Sequence, residues 1–136
     1  MFATAGVKIE WKSNRECPPD AIRITFSQKT QPDFLPEALA YALPYEGTHI
    51  VVFYDRLQER GQPNRLSAIL AHVMVHEITH ILQGVQRHSK SGVMKAVWTK
   101  DDFDEMAFKS LPFRDEDMKL IRNGPDAREI HMAVLH

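Results

Sequence analysis

His76, Glu77 and His80 form an H-E-x-x-H sequence inside the most apolar stretch of the chain, and Glu77 is the only formal charge between positions 66 and 86. Burying an unpaired carboxylate costs several kcal/mol or forces the group to take up a proton, so a lone Glu in such a setting needs a cation or a polar cavity beside it. A metal ion meets that need. On a helix, two histidines four residues apart project from one face and can reach one Zn²⁺ at about 2.1 Å. Glu77 sits one residue round, beside the ion's open position, where it would accept a proton from activated water rather than ligate the metal. The chain reverses at Gly84 and then offers His88. A loop that ends a helix can fold back over its last turn, so His88 can close a three-histidine set whose fourth position is left for water. Three neutral ligands keep the full double charge of the ion, and such a site lowers the pKa of bound water to about 7. The expectation is a hydrolytic centre with one catalytic Zn²⁺ held by His76, His80 and His88, and with Glu77 as general base.

Other titratable residues compete for these roles. His72, His76 and His80 lie in line at four-residue spacing, but His72 and His80 are about 12 Å apart along a straight helix, too far to share one ion. His72 therefore reads as a core or supporting group, although a His72 and His76 pair stays geometrically possible. Glu105 is an alternative third ligand, of the two-His-one-Glu type, if a second helix packs against the first. His49, His131 and His136 have no constellation around them, and Cys17 has no base or acid placed to activate it.

The elements that must position these groups can be read from periodicity. Val7, Ile9 and Trp11 alternate with Lys8 and Glu10, and Ile22, Ile24 and Phe26 with Arg23 and Thr25, which predicts two half-buried strands joined by a turn at Cys17-Pro18-Pro19-Asp20. An irregular connection over 28–47 has room for one short helix around 37–42. His49-Ile50-Val51-Val52-Phe53-Tyr54 then reads as a more deeply buried strand. Gly61-Gln62-Pro63-Asn64 breaks the pattern, Asn64 is a suitable N-cap for a helix over 65–83, and Gly84 is its stop. Apolar residues cover most of that helix's circumference, so it should lie in the middle of the domain. Thr99 and Asp102 resemble a capping box for a helix carrying Phe103 and Met106. Helix-compatible segments follow at 115–122 and 126–135, separated by Asn123-Gly124-Pro125. Strands first and helices after predicts an α+β fold with a sheet of three or more strands rather than an alternating α/β one.

Composition bounds the partners. A chain of 136 residues with 43% hydrophobic content suffices for one domain, read here as 1–136. Lys plus Arg (17) nearly balances Asp plus Glu (18), with no basic stripe, so neither nucleic acid nor a membrane is expected as a partner. A peptide or protein substrate is. The single cysteine excludes an intrachain disulfide, no stretch approaches the roughly 20 apolar residues of a membrane span, and the first residues do not read as a signal peptide. The chain is expected to be soluble. Met1 to Gly6 reads like the end of a helix, which leaves open a trimmed precursor and export.

The run His76-Glu77-Ile78-Thr79-His80-Ile81-Leu82-Gln83-Gly84-Val85-Gln86-Arg87-His88, with Gly92-Val93-Met94 beyond it, resembles the metzincin metallopeptidases. Those have two helix histidines, a turning glycine, a third histidine and a methionine turn. The run is especially similar to small bacterial zincin-like proteins with H-E-x-x-H-x-x-x-G-x-x-x-H-S, then G-I/V-M and a tryptophan, here Trp98. Relative to the standard H-E-x-x-H-x-x-G-x-x-H, one extra residue precedes Gly84 and one more separates it from His88. The match covers residues 66–98. The resemblance implies a small zincin-like fold with a twisted, mostly N-terminal sheet packed on a central active-site helix and a helical C-terminal part. It implies zinc on His76, His80 and His88, Glu77 as general base, and Met94 as the structural methionine under the site. A peptide substrate would lie along an edge strand, for which residues 49–54 are the candidate.

A zinc metallopeptidase is thus the first expectation. A metal-dependent endoribonuclease is a second, since small bacterial ribosomal-RNA endonucleases resemble H-G-x-x-H-x-x-G-x-x-H; Glu77 in place of that glycine and the lack of a basic surface both disfavour it. A non-catalytic or latent zinc-binding domain is a third.

Overall fold

The computed structural model describes residues 1–12, 21–31, 35, 38–43, 49–60, 63–124 and 130–135. The expected turn at Cys17 to Asp20, the Gly61-Gln62 break and His136 lie outside them. Five strands form one sheet in the order β1 (Ile9–Lys12), β5 (Ile130–Leu135), β2 (Ile22–Ser27), β4 (His49–Phe53), β3 (Ala40–Leu43). The pairs β1 with β5, β5 with β2, and β2 with β4 are parallel, and β3 runs antiparallel along β4. Among the described residues, four α-helices accompany the sheet: α1 (Tyr54–Arg60), α2 (Leu66–Gln83), α3 (Lys100–Met106) and α4 (Asp115–Arg122). The α+β class expected from element order holds, with most strand pairs parallel. Among the described residues, no helix is long and apolar enough to cross a membrane.

Alternation makes the sheet two-faced. Ile22 and Ile24 are buried while Arg23 between them is exposed, and Ile50 and Val52 of β4 are fully covered. These side chains meet Leu57 of α1, Ile69, Ile78 and Leu82 of α2, and Ile121 of α4 in one core. Each such aliphatic side chain removed from water contributes about 1.5–3 kcal/mol. Helix α2 lies at the centre because its sequence has no Gly or Pro and is apolar nearly all round. It ends where Gly84 takes a left-handed conformation (φ 71°) and donates its N–H to the His80 and Ile81 carbonyls. At its start Asn64 is not the cap. The flanking residue is Arg65, without a side-chain capping bond, and its guanidinium instead reaches Asp104 Oδ1 of α3 at 2.6 Å. The capping box on α3 is present: Thr99 and Asp102 bond each other's backbone N–H.

Three segments depart from the expected pattern. Part of the stretch expected to hold a helix around 37–42 instead enters a strand, since Ala40–Leu43 pairs with β4. Residue 54 leaves the strand and opens α1, whose Asp55 carboxylate accepts the Thr30 N–H at 2.8 Å. The helical C-terminal part is confined to α3 and α4, because Ile130–Leu135 is a strand between β1 and β2. For the first and third the physical reason is that open strand edges demand backbone partners, and a short apolar segment supplies them whatever its local helix propensity.

Candidate metal centre

Helix α2 presents His76 and His80 one turn apart on its buried side, and their Nε2 atoms lie 3.1 Å from each other. The loop after Gly84 brings back the exposed His88, whose ring centroid is 5.3 Å from that of His76 and 4.9 Å from that of His80. One ligand nitrogen from each of the three lies within 4.8 Å of the others, close enough to bind one metal ion.

The tautomers follow from the partners. His76 Nδ1 lies 2.7 Å from the Val93 carbonyl and His80 Nδ1 lies 3.3 Å from the Val85 carbonyl. A carbonyl only accepts, so both Nδ1 atoms carry the proton and both Nε2 atoms present bare lone pairs to each other. Two acceptors at 3.1 Å repel unless a cation or proton stands between them. Two nitrogens bound tetrahedrally at about 2.1 Å are about 3.4 Å apart, so the arrangement suits an ion of zinc's size. Protons are a poor alternative. Burial, with the neighbouring imidazoles, holds His76 down at about 4 and His80 at about 3, and burial followed by the Arg87 charge lowers His88. All three rings are thus shifted toward the neutral form that can bind a metal ion.

Glu77 lines the same cleft, which has a volume of about 380 Å³ and is walled by Ala42, Val73 and Trp98 as well as the histidines. Burial pushes its carboxyl up to about 7, partly opposed by a hydrogen bond from the Ala42 backbone. That bond comes from β3, the sheet edge. The strand at 49–54 is therefore not the edge: β4 is paired on both sides, and β3 forms the wall of the cleft. Leu39 turns its carbonyl inward to the Phe53 N–H, so by alternation Ala40 and Ala42 turn their backbone groups outward. The Arg56 guanidinium of α1 holds this wall in place by donating to the Leu35 and Ala38 carbonyls.

Beneath the histidines the chain makes the turn at Gly92-Val93-Met94. Met94 is fully buried in the core, and its carbonyl accepts the Ser89 N–H at 2.8 Å. Within this turn, the residue that hydrogen-bonds a histidine is Val93. Its carbonyl orients His76, while its N–H donates to the Pro112 carbonyl at 3.0 Å. Gly92 has φ +82°, and a Cβ there would fall 2.3 Å from the Pro112 oxygen. Gly92→Ala should therefore lower stability by more than the ~1–2 kcal/mol of a left-handed alanine, because backbone must also move. Urea unfolding of the two apo proteins measures this, and an unchanged midpoint would contradict the packing described.

His72 stands apart from the site. Its Nδ1 lies 2.7 Å from the Ala68 carbonyl, and its Nε2 accepts the Leu111 N–H at 3.0 Å, so both nitrogens are engaged by backbone. Trp98 packs edge-on against both His72 and His76, with centroids 6.3 Å and 5.6 Å away, and fills the side of the site. Glu105 is not part of the convergent group; it faces Lys109 across one helical turn, and the alternative ligand role is not supported. His49 pairs with Thr25 Oγ1 on the sheet. Sequence reasoning missed Val93, Arg56 and Asp117, the last a buried carboxylate on α4 treated below. Their roles run through backbone atoms and loops, and the only local signal was the Arg114-x-x-Asp117 spacing of a helix start.

No family model, curated protein or solved structure matches this chain.

Proposed function

We propose that this protein is a metal-dependent hydrolase, specifically a zinc metallopeptidase. The observation that carries the reading is the convergence of three neutral imidazoles beside a carboxylate in a cleft walled by an edge strand. His76, His80 and His88 would hold the ion. A divalent cation there supplies Lewis acidity toward a carbonyl and acidifies water. Glu77 performs the proton transfers: its carboxylate takes a proton from the attacking water and passes it to the leaving amine. Burial raises this carboxyl's affinity for a proton, and the dication beside it would favour the ionised form that accepts one from water. The outward backbone groups of β3 other than the Ala42 N–H, which Glu77 engages, would supply the ladder along which an extended peptide would lie, by the same pairing that adds a strand to any open edge. Ala38, Ala40, Ala42 and Val73 make the neighbouring surface small and apolar.

The test is digestion of an unbiased peptide library by zinc-loaded protein, followed by mass spectrometry. Cleavage that a chelator stops and added Zn²⁺ restores is the expected result. One bound zinc with no peptide cut would leave a binding domain in place of the peptidase. Chelator-sensitive cleavage of RNA instead would move the reading to the nuclease class.

A further inference from the structure

The three histidines are not held alike. His76 and His80 sit on helix α2, and each is fixed by an Nδ1 bond to a backbone carbonyl of the loop that follows it. His88 is exposed, lies in a loop, and no hydrogen bond among the described residues engages its ring. Its position must come from the backbone on either side. Both neighbours are tied to one carboxylate: Arg87 Nη1 donates to Asp117 Oδ1 at 2.8 Å and Ser89 Oγ donates to the same oxygen at 2.6 Å. Arg87 Nη2 and Ser89 Oγ, 3.2 Å apart, close the triangle. Asp117 is fully buried, and its other oxygen accepts the Arg114 N–H at 2.7 Å. Its carbonyl accepts Gln83 Nε2 at 3.1 Å, which joins α4 to the last turn of α2. Asp117 is thus fixed through its backbone to the helix that carries His76 and His80, while its carboxylate grips the loop that carries His88.

We propose that Asp117 is a positioning residue for the metal centre, holding His88 in ligand register through Arg87 and Ser89. This rests on reading His76, His80 and His88 as a metal site. A buried carboxylate without partners is strongly destabilising, so the loop residues that satisfy it are drawn to one place. Partners that orient metal ligands are worth about 10–100-fold in affinity.

The experiment is a double-mutant cycle on Zn²⁺ affinity with Asp117→Asn, His88→Ala and the pair, together with the visible absorption of the Co²⁺-loaded proteins. Asp117→Asn should weaken Zn²⁺ binding about 10–100-fold and move the Co²⁺ spectrum toward that of His88→Ala. In the His88→Ala background it should cost nothing further. An equal loss in both backgrounds would mean that Asp117 supports the fold at large, and wild-type affinity in Asp117→Asn would also overturn the proposal. Ser89→Ala, which removes one bond and leaves the buried charge paired with Arg87, gives the same cycle if Asp117→Asn does not fold. Its expected loss is smaller and again vanishes without His88. Equal affinity in wild type and His88→Ala would instead sink the three-histidine reading, and this proposal with it.

Discussion

On the proposed zinc-peptidase reading, Glu77→Gln is expected to keep one zinc per chain and to lose peptide cleavage. The expected fall in kcat/KM is about 10²–10⁴-fold, the usual contribution of a positioned general base. Glutamine has almost the same shape and can still accept the Ala42 N–H that the carboxylate accepts. The histidines keep their carbonyl partners, since neither Val93 nor Val85 touches Glu77 through the bonds that fix the rings. What disappears is a group that can take up a proton. Metal content by elemental analysis and turnover of a cleaved library peptide are read on the same sample. Retained cleavage would sink the role of Glu77, and lost metal would show that the carboxylate acts as a ligand.

The second large effect concerns stability. A ligand that binds only the folded state stabilises it by RT ln(1 + [L]/Kd), or about 4.1 kcal/mol at a thousandfold excess over Kd. For a domain of this size that is a rise in Tm of roughly 10–15 °C. His80→Ala should abolish the zinc-dependent rise while changing the apo protein much less, because the two facing lone pairs of His76 and His80 no longer oppose each other. His72→Ala should do the reverse. It leaves the buried Leu111 N–H without its acceptor, at a cost of about 1–3 kcal/mol with or without metal, and keeps the full zinc increment. Thermal scans of the three proteins, wild type, His80→Ala and His72→Ala, with zinc and with chelator, separate the two histidines. A zinc shift that survives His80→Ala would remove the centre from α2.

These contrasts also show how far the linear chain could be read. Residues 66–98 were legible because their signals are local. The four-residue spacing of His76 and His80, the apolar circumference of α2 and the left-handed stop at Gly84 all depend on helix geometry that any sequence of this kind adopts. The capping box at Thr99 and the boundaries of α4 are local for the same reason. From those residues the composition of the site could be written down, including the loop histidine that returns to it. Tertiary structure decided which strand walls the cleft. The ladder along β4 recruits Ala40–Leu43 and makes it the edge, although Ala40, Ala42 and Leu43 suit a helix equally well. It also placed Ile130–Leu135 inside the sheet, where the partners are backbone groups more than a hundred residues away. Finally, it decided what holds each histidine: two carbonyls, Val93 and Val85, and a carboxylate on a later helix that grips the loop around His88. Side-chain identity picked out the candidate ligands because metal chemistry needs particular atoms. Backbone carbonyls are the same at every residue, so only the fold could say which of them stand behind the rings.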